Sequence, residues 1–63
     1  MREIEKCFEY LEKGDYQKAI KSGQMAVKLY PRNINAYICL GEAYFMAGKI
    51  ELAIKNFKKV KPT

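Results

Sequence analysis

The chain has 63 residues, 49% hydrophobic and 30% charged, with twelve Lys and Arg against seven Asp and Glu for a formal net charge of +5. That is room for one small domain, which hides only about 60% of the surface it exposes when unfolded, and the composition is too apolar for a disordered chain. No apolar run approaches the roughly 18 residues needed to cross a bilayer. The start, Met1-Arg2-Glu3-Ile4-Glu5-Lys6, mixes both charge signs where a secretory signal would put a basic end before an apolar stretch, so a cytoplasmic protein without membrane partners is expected.

From the N-terminus, Ile4, Cys7, Phe8 and Leu11 form the i, i+3, i+4, i+7 stripe of an amphipathic helix over residues 2–13. Gly14-Asp15 breaks it. Tyr16, Ala19, Ile20, Ala26, Val27 and Tyr30 mark a second helix that Pro31 stops. Asn33 or Asn35 can cap the third, whose apolar positions are Ala36, Tyr37, Leu40, Tyr44 and Phe45 and which Gly48 should end in a left-handed cap. A fourth helix is expected from near Ile50, using Ala53, Ile54, Phe57 and Val60 before Pro62. All connections are short, which makes consecutive helices antiparallel and the fold class all-α.

The spacing also repeats. Tyr10, Gly14, Ala19 and Ile20 recur 34 residues later as Tyr44, Gly48, Ala53 and Ile54, a period that belongs to helical repeats. With Tyr37, Leu40, Gly41 and Phe57 added, the second copy resembles the tetratricopeptide repeat, with tyrosine in place of the usual tryptophan. The resemblance implies two antiparallel helix-turn-helix hairpins, residues 1–33 and 34–63, stacked as a short right-handed α-solenoid. It also implies non-catalytic binding of other polypeptides. Gly41 and Ala53 match the family's positions of closest helix approach. The first copy departs from the pattern: it has Glu3, Lys6 and Cys7 where the second has Tyr37, Leu40 and Gly41, as fits an N-terminal cap. Gly23 stands where the second copy has Phe57, which predicts a thin spot in the core or room for a large neighbour such as Tyr10 or Tyr44. Family members usually close the stack with an extra helix whose outer face is polar; with none within these 63 residues, the last helix is expected to expose some of Ile54, Phe57 and Val60. Bare apolar surface of that kind points to self-association as a homo-oligomer or to a place within a longer array.

In such a stack the first helix of each hairpin lines a concave groove. The positions carried over are Ile4, Glu5, Phe8 and Glu12 in the first copy, and Asn35, Ile38, Cys39, Glu42, Phe45 and Met46 in the second. Some members of the family grip an acidic peptide C-terminus with a lysine and asparagine clamp. Ile4, Phe8 and Cys39 occupy clamp positions here, so that clamp is lacking. An apolar groove with carboxylates suits an amphipathic helix or hydrophobic segment instead. The competing reading is that Ile4, Phe8, Ile38 and Phe45 are simply core. Ile38, Phe45 and Met46 lie on a different side of their helix from Leu40 and Tyr44, so one partner helix cannot bury both sides.

Charge is uneven along the chain. Up to Gln17, three bases face five acids, a net of −2; from Lys18 onward nine bases face two acids, a net of +7. Head-to-tail attraction would follow from that split, although lysines at helical spacing can also be a solvated outer face. RNA binding by the basic half has little support, since arginine occurs only twice and no aromatic-basic stacking motif is present. Cys7 and Cys39 fit neither a CxxC metal pair nor a disulfide framework. They read as two free, packed thiols, with a functional redox pair as the alternative. With no histidine, one serine (Ser22) and no glycine-rich phosphate loop, the chain offers no catalytic constellation, and no cofactor or metal is implied.

Overall fold

Two glycines 34 residues apart punctuate the chain in the same way. A computed structural model describes residues 2–60 as four helices: α1 (Arg2–Lys13), α2 (Tyr16–Leu29), α3 (Ile34–Met46) and α4 (Ile50–Phe57). Gly14 and Gly48 sit at φ +80° and +84°, which a side chain would disfavour. Around each, the freed carbonyls are taken up identically. The Gly14 and Gly48 N–H groups donate to Leu11 and Phe45 at 3.1 and 3.0 Å, and the Asp15 and Lys49 N–H groups donate to Tyr10 and Tyr44 at 2.9 and 2.8 Å. Both are complete Schellman closures, and each reverses the chain into an antiparallel hairpin. The stop expected at Pro62 lies outside the described residues.

Between the hairpins, Tyr30 ends α2 and Asn33 begins α3, its side-chain oxygen accepting from the Asn35 N–H at 2.9 Å. Of the two asparagines the sequence offered, Asn33 is therefore the cap. The Tyr37 hydroxyl pins this connection by donating to the Pro31 carbonyl at 2.7 Å. The hairpins stack so that α2 packs on α3, and α1 reaches α3 as well, whereas α2 and α4 do not meet. First helices that touch, with second helices that stay apart, bend the stack around the α1–α3 side.

Tight packing rests on small residues. Ala19, Ala26, Ala36, Ala43 and Ala53 are buried, as are Ile20, Leu40 and Tyr44. The glycines at the contacts accommodate large neighbours. A methyl added at Gly41 would lie 2.5 Å from the Phe57 ring, and one added at Gly23 would lie 3.0 Å from both Cα and Cβ of Leu40. The space at Gly23 thus goes to Leu40 of the next hairpin, and neither Tyr10 nor Tyr44 is the residue that fills it.

Two expectations need correction. Cys7 and Cys39 are not free thiols: they form a disulfide between α1 and α3, with Cα atoms 6.3 Å apart and both side chains fully buried. Their 32-residue separation looked too long for a pair, yet stacked repeats set residues about one period apart side by side. The fourth helix is also shorter than its apolar pattern. After Phe57 the Lys59 and Val60 N–H groups bond three residues back, to Asn56 and Phe57, so Val60 lies in a turn beyond the helix.

Candidate functional site

Side-by-side placement of α1 and α3 builds one face from two walls. Phe8, Leu11 and Glu12 from α1 and Glu42 and Met46 from α3 surround an open recess of about 280 Å³. Three of these five side chains are apolar, two are carboxylates and none is basic. Phe8 and Leu11 are half-buried and rest on the core cluster that contains Cys7 and Cys39, so the floor is rigid packing rather than loop. A recess of this volume falls just below the size that encloses a drug-sized ligand, but it can receive an anchoring side chain.

Of the groove positions expected from the sequence, the structure gathers Phe8, Glu12, Glu42 and Met46 around the recess. Phe45 follows on the same last turn of α3. Both it and Met46 are more than half exposed, at 55% and 52%. Ile38 is half-buried and Asn35 is exposed on the first turn of α3. Glu5 sits apart, with Arg2, Lys6 and Glu9 around a polar hollow. Two positions must be withdrawn. Ile4 is buried in a small cluster with Ala26 and Ala36, only 7% exposed, and Cys39 has no exposed surface, so both belong to the core rather than to the open face. Sequence reasoning missed Leu11. Its signal was present, because Leu11 stands one turn beyond Phe8, but a residue on the packing stripe gives no sign that its far edge remains open.

The outer side of α4 is a second uncovered surface. Ile54 is 49% exposed and Phe57 38%, with Ile50 also open, and Lys55, Lys58 and Lys59 are exposed on the same segment. Val60, which the sequence grouped with them, is half-buried. Lys59 lies 5.8 Å from the centre of the Tyr37 ring, close enough for a weak cation–π contact. At the far end of the first hairpin the Tyr30 hydroxyl donates to Glu3 at 3.1 Å. That hydrogen bond, with partial desolvation and the Glu3 charge, raises the Tyr30 pKa above its ordinary value.

A family model described as TPR repeat matches residues 9–48, from the middle of α1 through the turn after α3. The chain belongs to the tetratricopeptide repeat family. Its curated relatives include Tetratricopeptide repeat protein 37 of Xenopus laevis, Superkiller protein 3 of Saccharomyces cerevisiae and Superkiller complex protein 3 of Homo sapiens. Each is 36% identical over 50 residues, covering 79% of this chain. The chain spans only 3%, 4% and 3% of those proteins, respectively. No solved structure matches at a significant level. Tetratricopeptide repeats generally mediate protein–protein interaction and are non-catalytic. No helix among the described residues is long and apolar enough to cross a membrane.

Proposed function

We propose that this tetratricopeptide chain is a protein-interaction module that holds a peptide or amphipathic helix along the α1–α3 face. The observation that carries the reading is the recess lined by Phe8, Leu11 and Met46 and rimmed by Glu12 and Glu42, with Phe45 exposed beside it. An apolar side chain seated between the walls would be removed from water, at roughly 25 cal/mol per Å² buried. A Lys or Arg about one turn away on the same segment would meet the rim carboxylates. The occupant is therefore a segment with apolar anchors at helical spacing and basic flanks. Selection from a random peptide library tests this directly. Enriched peptides should combine those two features, and Met46→Lys should weaken them about tenfold or more, in line with a central contact. Peptides that bind the Met46→Lys chain unchanged would show that the face is wrongly assigned.

A second reading rests on α4. Ile50, Ile54 and Phe57 form apolar surface that a second copy of the chain could cover, giving a homo-oligomer. Sedimentation over a wide concentration range decides it. Association that Ile54→Glu abolishes supports the reading, and a folded monomer at all concentrations ends it.

A further inference from the structure

Cys7 and Cys39 do more than fill the core, because of where they join the chain. Cys7 immediately precedes Phe8, and Cys39 lies one turn before Glu42; Phe8 and Glu42 stand on opposite walls of the recess. Phe8 and Leu11 pack on the cluster that holds both sulfurs. Besides this bond α1 packs on α3 through side chains, and its other covalent route to the second hairpin is the chain through α2. We propose that the Cys7–Cys39 pair is a redox-modified staple that sets the separation of the two groove walls: oxidised, it fixes α1 against α3, and reduced, it lets the first hairpin move relative to the second. Its meaning for binding rests on the groove reading above, whereas the staple itself does not.

The chemistry needs a disulfide oxidant such as glutathione disulfide. One cysteine thiolate attacks a glutathione sulfur, expelling a glutathione thiolate that takes up the released proton and leaving a mixed disulfide. The second cysteine thiolate then attacks the protein-bound sulfur, forming Sγ–Sγ and expelling the second glutathione. Two glutathione thiols are produced for two cysteine thiols consumed, and a reducing dithiol reverses the sequence. Both sulfurs are fully buried, so no thiol reaches them while α1 lies on α3. Oxidation therefore proceeds through separated hairpins, and reduction through local unfolding of α1 around the intact bond, so each rate reports its own opening. Compartments that maintain disulfides would hold the wall fixed, and reducing ones would release it.

The test uses the unmodified chain in its two redox forms, prepared with glutathione disulfide and with a water-soluble phosphine, without any groove ligand. Thiol labelling in denaturant should find both cysteines blocked in the first form and both reactive in the second. Closing a loop of about 30 residues should raise the melting temperature by about 10 °C or more. Amide exchange along α1 should quicken on reduction by about tenfold more than exchange along α3, because α1 is the wall that is released. The Cys7→Ala/Cys39→Ala double variant should match the reduced form under both treatments. Thiols that stay reactive after glutathione disulfide treatment overturn the proposal, as does equal α1 protection in the two forms. Because no peptide is present, neither result bears on whether the groove binds one, and failure of the peptide selection leaves the staple standing.

Discussion

The two hairpins begin from the same turn and end as different structures. Asp15 and Lys49 occupy equivalent positions with nearly the same backbone, φ −92°, ψ 78° and φ −93°, ψ 72°. Asp15 caps α2, accepting from the Lys18 N–H at 3.3 Å, and α2 runs 14 residues between α1 and α3. Lys49 has no side-chain oxygen to offer, and α4 runs 8 residues with α3 as its one helical neighbour among the described residues. A shared turn therefore sets the direction of the second helix, while its length depends on the cap and on cover from both sides. The glycines differ in the same sense. Gly41 receives Phe57 from within its own hairpin, whereas Gly23 receives Leu40 from the next one. The glycine of the first hairpin thus makes room at the joint between hairpins, and that of the second makes room within its own hairpin.

That contrast can be broken most severely at the joint. Leu40→Ala should cost about 3 kcal/mol in a urea titration by opening a cavity beside Gly23. Gly23→Phe, which copies Phe57 into the first hairpin, should cost about 2 kcal/mol or more, since the new Cβ would lie 3.0 Å from Leu40 Cα, Cβ and Cδ1 and the ring would need the space that the Leu40 side chain fills. Combined, the two changes should be less damaging than their sum by at least about 1 kcal/mol. Strict additivity would mean that Gly23 and Leu40 do not share one space.

A smaller change should make the hairpins more alike. Lys49→Asp should stabilise the chain by about 1 kcal/mol, with a matching gain in helical circular dichroism, because the backbone at Lys49 already has the geometry that lets Asp15 cap. Asp15→Ala should cost about the same amount, and the pair of changes would show whether cap or cover limits α4.

The smallest expected effect is at Tyr30. Its raised pKa means that the ionised form is less favoured in the fold than in the unfolded chain, so the contribution of this contact is full below the unfolded pKa near 10 and is lost as pH climbs through the higher folded value. Glu3→Gln should shrink the alkaline loss of stability, because it removes the charge that opposes tyrosinate. A stability profile from neutral pH to 11.5 or so spans the window. Identical alkaline slopes for the two proteins would contradict the link.

Much of the fold was legible residue by residue. The stripe from Ile4 to Leu11 gave α1 its observed bounds, Gly48 took the expected left-handed turn, and the 34-residue period gave the hairpins and their family. These are local features, written in periodicity and in conformations that only some residues tolerate. The end of α4 was not legible, because Val60 continues an apolar spacing that says nothing about whether a neighbouring helix rewards it. The candidate face was legible in part. Phe8, Glu12, Glu42 and Met46 could be placed on it by register, yet Ile4 shares that register and is buried, since stacking covers the start of α1 and leaves its end open.

Cys7 and Cys39 mark the same division. From the sequence they read as two free, packed thiols, with a functional redox pair as the alternative, and the spacing within either helix does not refer to the other. By itself the chain determined four helices, two equivalent turns and a repeat, because each depends on residues within a turn or two of one another. Only the tertiary structure decided that the cysteines meet, that Gly23 makes room for Leu40, and which edge of the α1–α3 face stays open. Those outcomes depend on how one hairpin slides over the next, and that offset is set jointly by every side chain at the joint.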